Sequence, residues 1–508
     1  ASIVFLIGQQ LRGIRLAMWD GVLLTVAFIV LGFHLLTDIE RVLAGSGIGA
    51  VACVLLVASR AHTLPGAVRV LGSVTLGFAL MLAAVGVHEV FVSHPQTMLM
   101  FERGKGSFLA ARGWSDGSFE AMAYERRLRN PEPIAWFGLT NVFASFMAAS
   151  AAAVLTLALI LWNDRRVLAT LLIMGTLVLT AMLVLSGSKG GYAVLAIGVG
   201  LGMTAVVQPR LRLDGRVVLA LCGLVILGLV ARGVAGESLG ERSLLFRWQY
   251  LVGGLRVWLE DPLLGSGPGM FQQRYALLKP ALSPEDVASP HSIMLYWLAT
   301  LGVGGFALIA VLLRAVVRLN PRPIGGKHDP HADSVPAEQS LEKEIKASLM
   351  LVVLPTLLAL HMQRGVLSMQ EMLPVLIGSV LWGGMSAAII RWGSSDRALR
   401  PALFVAAGVL MVHAMLEVTG SLIVSAPLWA LMVGLGCGGR WVPGHGKHAG
   451  GYLAMLAVLG MGGVLISRWP AINAWERALH GAARDATAIA QVHTALNGLE
   501  FSTDPEGD

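Results

Sequence analysis

Charge is what this 508-residue chain has least of: 14% of its residues are Asp, Glu, Lys or Arg, against roughly 25% in ordinary soluble proteins. That scarcity excludes a water-soluble globular protein. An apolar fraction of 55% and a mean hydropathy of +0.70 exclude a disordered chain as well. Cysteine is nearly absent: Cys53, Cys222 and Cys437 each lie in or beside an apolar run, so there is no disulfide scaffold and the thiols say nothing of compartment. No internal repeat is evident, which disfavours the inverted-repeat transporters. No cleavable secretory signal is evident either; residues 1–9 are apolar but too short to span, and an opening Ala rather than Met suggests that the natural start was removed. The net charge of +7 is scattered in short clusters between apolar runs and forms no basic domain. A membrane explains it better than nucleic acid.

What the chain has in abundance is long apolar runs, near 18–36, 44–59, 67–93, 135–161, 167–186, 190–208, 216–233, 291–318, 347–361, 373–390, 401–417, 421–438 and 451–467. At roughly 20 residues per span they predict an all-α polytopic membrane protein with 12–13 transmembrane helices. Lys and Arg recur in alternate connections, as Arg12/Arg15, Arg60/Arg69, Arg165/Arg166, Arg210/Arg212/Arg216, Arg314/Arg318/Arg322/Lys327, Arg391/Arg397/Arg400 and Arg440/Lys447. The positive-inside rule puts these in the cytoplasm. The expected layout is N-terminal helices over 1–93, a first periplasmic loop 94–134, helices over 135–233, a large periplasmic loop 234–290, C-terminal helices over 291–467 with a cytoplasmic linker 319–346, and a periplasmic tail 468–508. Trp19, Trp136 and Trp297, near span ends, read as an aromatic belt.

The second loop is richest in chemistry. Arg242, Arg247 and Arg256 suit a lipid diphosphate, because a guanidinium stays charged and makes paired hydrogen bonds to phosphate oxygens; a solvated or snorkelling arginine is the plain alternative for each. Gly265-Ser-Gly-Pro-Gly269 can form a tight loop whose amides approach an anion, although a Gly-rich turn before a helix is common. His291, after Pro290 at the start of a membrane helix, can take a proton from a hydroxyl nucleophile or simply cap the helix. In Ser186-Gly-Ser-Lys-Gly-Gly-Tyr192, Lys189 is the only charge and needs a partner at that depth, a phosphate or the interface. Farther on, His361-Met-Gln-Arg364-Gly with Glu371, and His413-Ala-Met-Leu-Glu417, put ionisable groups at outer helix ends. His413 and Glu417, four apart, fit one helical face. They read as a polar pair lining a cavity, two ligands being too few for a metal.

The order of these features resembles the O-antigen ligase and polymerase superfamily of bacterial membrane glycosyltransferases, which includes protein O-oligosaccharyltransferases. The resemblance covers about 135–440. It is carried by Gly138-Leu-Thr-Asn141-Val-Phe-Ala144, Ser186 to Gly191, Arg247 followed by Pro262-Leu-Leu-Gly-Ser-Gly-Pro-Gly-Met-Phe271, Pro290-His-Ser292 with Gly302-Val-Gly304, and His413 to Glu417. It implies a GT-C-like fold in the bacterial inner membrane, with a large periplasmic loop over a cavity that admits an undecaprenyl-diphosphate-linked glycan. It also implies transfer to an acceptor hydroxyl with inversion, without a metal or other cofactor. Arg247 would grip the diphosphate, helped by Lys189 and Arg242, and His291 would activate the acceptor; Arg256, Asn141, Arg364, His413 and Glu417 are possible supporting residues. Lys189 stands where relatives usually carry arginine, keeping the charge and losing the fork, and Thr140-Asn141 stands for the usual Pro-Asn.

Fixed cations beside a diphosphate leaving group stabilise charge that grows in the transition state. The acceptor would be lipid A core in a ligase, another repeat unit in a polymerase, or a Ser/Thr side chain in a protein glycosyltransferase. The 468–508 tail, too short for an added helical domain, inclines the reading to ligase or polymerase. A transporter or flippase for a lipid or anionic solute is the competing class. It would need charges spread through the midplane, whereas here they gather at one face.

Overall fold

The computed structural model describes residues 18–35, 39–59, 61, 66–208, 211, 213–236, 242–283, 285–319, 338–363, 369–392 and 396–437. The apolar run 451–467, the tail 468–508, Arg364 and most of the linker 319–346 lie outside these residues, as does the side chain of Arg242. The fold is all-α and polytopic: among the described residues seven helices are long and apolar enough to cross a membrane, five shorter apolar helices accompany them, and there is no β-strand.

The centre of the bundle is α6 (Thr140–Leu161) and α16 (Asp396–His413), packed with α7 (Arg166–Leu185) and α8 (Lys189–Val207). Small residues make this possible. Ala148, Ala149 and Ala151 to Ala153 are completely buried, and a Cβ at Gly198 of α8 would lie 2.5 Å from Val409 and 2.7 Å from Ala152. Membrane helices associate through such close backbone approach, since apolar area gains nothing in lipid. Ser188 caps α8, its hydroxyl accepting from the Gly191 amide at 3.2 Å, and Asp214 caps α9 (Gly215–Ala235), accepting from the Arg216 amide at 2.9 Å.

Around this centre stand α1 (Met18–Leu35), α2 (Ile39–Ala58), α3 (Ala67–His88), α13 (Val303–Val317), α14 (Glu338–Gln363), α15 (Met369–Trp392) and α17 (Ala426–Gly436). Ion pairs tie them at the basic end of the bundle. Arg69 of α3 donates to Glu344 of α14 at 2.9 Å, and Arg314 and Arg318 hold the buried Asp20 of α1 at 2.5 and 3.5 Å. The starts of α6 and α8 and the ends of α3, α9 and α16 meet at the opposite end, and there the site is built.

Three expectations need correction. The 67–93 run does not end at 93: α3 passes through a π-helical turn, Glu89–Ser93, into α4 (His94–Ala111), making one 45-residue helix. Residues 94–134 are thus largely helical, with α5 (Phe119–Leu128) returning against α4. Ser118 caps α5, and Phe101, Phe108, Trp114 and Tyr124 cluster between the two helices. Hydropathy falls at 94, but Met98 to Met100, Glu102, Arg103 and Leu109 to Ala111 are good helix formers and carry the helix past Gly104 and Gly106. The 291–318 run is not one helix either. It breaks at Gly302, φ +49, between α12 (Ile293–Leu301) and α13. A Cβ at Gly302 would lie 2.5 Å from the Leu263 backbone, so only glycine fits. Trp297, finally, is buried in α12 against a cavity and belongs to no aromatic belt.

Candidate active site

The loop end is crossed by the amphipathic α10 (Arg242–Glu260) and the short α11 (Phe271–Leu278). Arg247 and Arg256, nine residues apart on α10, point different ways. Arg256 is exposed and donates to the Leu278 carbonyl at 3.1 Å. Arg247 is turned inward: Nε donates to the Leu416 carbonyl at 3.0 Å, Nη1 to Ser243 Oγ at 2.9 Å, and Nη2 to Glu417 Oε1.

Glu417 is the hub. Its side chain is 2% exposed, and its second oxygen lies 3.4 Å from Nδ1 of His291. Burial alone would push this carboxyl up; the His291 contact and the positive charge of Arg247 outweigh it and hold Glu417 well below the ordinary carboxylate range. The spacing of four from His413 suggested a shared helical face, yet α16 ends at His413. The Glu417 amide closes the last turn on the His413 carbonyl at 2.9 Å, which carries the carboxylate over the helix end toward α10.

His291 follows Pro290 and has φ +54, a left-handed backbone rare outside glycine. The amide of Ile293 two residues on is fastened to the Ala414 carbonyl at 3.1 Å. The imidazole lies 5.1 Å from the ring of Tyr250, whose hydroxyl donates to Glu285 at 2.6 Å. Burial first, and then Glu285, push the Tyr250 phenol up, keeping it a donor. His291, Ser289, Gln272, Phe271, Trp297 and Ile423 are among the residues around a cavity of about 570 Å³.

His413 sits deeper and is fully buried, with Nδ1 2.5 Å from Ser145 Oγ, which is 2.7 Å from Thr419 Oγ1 and donates to the Asn141 carbonyl at 2.9 Å. Its Nε2 has no hydrogen-bond partner among the described residues and faces the start of α8, where a Cβ at Gly190 would come within 2.9 Å. Lys189, next along, is exposed at the rim of the site.

The first three amides of the Gly265–Gly269 segment are not available to an anion. The amides of Gly265, Ser266 and Gly267 are taken by the carbonyls of Asp261, Ala299 and Thr300 at 2.9, 2.8 and 3.0 Å. With the Val303 amide bonded to the Leu263 carbonyl at 3.0 Å, the loop clips α12 to the chain before α11. Ser145, Thr419, Tyr250 and Glu285 complete the site and carried no motif by which sequence alone could find them.

An arginine and a histidine that converge on one buried carboxylate beside a cavity, at one end of a polytopic bundle, invite comparison with known families. Residues 174–310 match the model of the O-antigen ligase family. The match is confined to that segment, about a quarter of the chain. It runs from α7 through most of α13 and contains Lys189, Arg247 and His291; Asn141, Ser145, His413 and Glu417 come from outside it. No curated protein and no solved structure matches the chain.

Proposed function

We propose that the protein is a lipid-linked oligosaccharide transferase: it moves a glycan from an undecaprenyl-diphosphate carrier to an acceptor hydroxyl at the periplasmic face of the inner membrane. The observation that carries this reading is the meeting of Arg247 and His291, both inside the O-antigen ligase segment, on Glu417 beside the cavity. The acceptor oxygen attacks the anomeric carbon as the bond to the diphosphate breaks. The acceptor's proton passes to His291, and attack opposite the leaving group inverts the anomeric centre. Arg247, with Lys189 at the rim, takes up the charge developing on the diphosphate. The chain's own residues supply both the base and the cations. Acceptors in reach of this chemistry are a lipid A core, a growing repeat-unit chain or a protein Ser/Thr.

Arg247→Ala should lose most donor use in membranes carrying equal amounts of protein, and Arg247→Lys should recover part of it, since a lysine returns the charge without the fork. Normal transfer by Arg247→Ala would remove the diphosphate assignment. His291→Ala should lower transfer by about 10²–10⁴-fold, the usual share of general-base catalysis. His413→Ala should cost less. A full loss in His413→Ala with normal transfer in His291→Ala would move the base to the deeper histidine.

A further inference from the structure

Each nitrogen of Arg247 already makes a bond: Nε to Leu416, Nη1 to Ser243 and Nη2 to Glu417. A sugar diphosphate diester carries two negative charges, and on the Nη2 edge of this guanidinium it meets a buried carboxylate that repels it and competes for the same donors. The carboxylate must yield, and the structure provides one direction for it. Nδ1 of His291 stands 3.4 Å from the second Glu417 oxygen and is buried, with no hydrogen-bond partner among the described residues. Closing that gap by about 0.6 Å gives an ordinary charge-assisted hydrogen bond.

Resting on the reading of Arg247 and His291 above, we propose that the donor's diphosphate displaces Glu417 from Arg247, and that the released carboxylate closes on His291 and makes it a stronger base. The histidine is thereby switched on by the donor. With Nδ1–H bound to Glu417, the opposite ring nitrogen, Nε2, receives the acceptor's proton, and Glu417 stabilises the imidazolium that forms. Without donor, Arg247 competes for the same carboxylate. Glu417 acts here as a positioning residue.

Among the described residues, the charged and titratable groups around His291 are Arg247 and Tyr250 of α10, Tyr275 of α11 beside Tyr250, Tyr296 of α12 on the same cavity wall, Glu417 and His413 from the end of α16, and Glu285 bonded to Tyr250. Tyr250 is held as a donor to Glu285 and His413 is joined to Ser145. Donor binding therefore acts through Arg247, Glu417 and His291.

The experiment uses the full chain, a polyprenyl diphosphate without sugar as the binding probe, and transfer measured against pH with the donor limiting and then saturating. In the wild type the acid limb of kcat should lie at higher pH than that of kcat/KM for the donor, because the donor-bound enzyme holds the imidazole proton more tightly. Glu417→Gln frees Arg247 and cannot stabilise the imidazolium. It should bind the probe at least about fivefold tighter, lose kcat, and bring the two limbs together. Coincident limbs in the wild type overturn the exchange, and that comparison needs no variant to fold. Probe binding by Glu417→Gln no tighter than wild type overturns it too. If instead Arg247→Ala binds the probe and transfers as the wild type does, the diphosphate reading itself has failed. Loss of probe binding in Arg247→Ala with unchanged behaviour in Glu417→Gln sinks the exchange alone.

Discussion

His291 holds a backbone conformation that costs an L-residue about 1–2 kcal/mol, and strain of this kind persists where the surroundings over-determine it, often at working sites. The Pro290 before it and the Ile293–Ala414 hydrogen bond after it supply that constraint. His291→Gly should therefore melt higher in detergent than His291→Ala, by about 1 kcal/mol in unfolding free energy, while both lose transfer; equal melting would mean that the left-handed turn carries no strain. The Pro-His pair was legible in the sequence because it is local. The strain was not, since it comes from a carbonyl 121 positions downstream. Glu417 shows the same limit. Its spacing from His413 was visible and suggested a helical face, but its ion-pair partner is 170 residues away, and no local pattern encodes that meeting.

Among the elements, the clip between the 261–271 loop and α12 was the least legible. Glycines in a loop before a helix suit either an anion or a tight backbone crossing, and composition does not separate the two. What decides is whether the amides are already bonded, and here those of Gly265, Ser266 and Gly267 are. The break at Gly302 lies inside an unbroken apolar run, where hydropathy has no signal. Gly302→Ala should lose roughly 2 kcal/mol or more, as a side chain forced into the Leu263 backbone at positive φ must, and transfer should fall with it. Gly228→Ala in α9, where a Cβ meets nothing within 4 Å, should be neutral or slightly stabilising because alanine is the better helix former. Thermal unfolding of the two variants side by side checks this; a harmless Gly302→Ala would deny the clip its role.

For the molecule as a whole, hydropathy alone carried the fold class, because lipid requires every backbone amide to be satisfied within a helix. Orientation rests on the basic clusters, and the structure gathers Arg69, Arg314 and Arg318 at the end opposite His291. In a background without native cysteines, cysteine at the exposed Met122 or Leu277 should react with a membrane-impermeant reagent added outside intact cells, and cysteine at the exposed Lys346 should not. The reverse pattern would invert the protein and take the candidate site with it.

The clip also sets a mechanical tolerance. α12 has nine residues and is thus about 13 Å long at 1.5 Å per residue; Gly302 lies at one end and His291 precedes the other. A tilt of only about 4° at that pivot displaces the imidazole by ~1 Å, a misplacement that can slow a positioned reaction about 10²-fold. The angular stiffness of one glycine junction therefore governs how accurately the proposed proton acceptor is aimed.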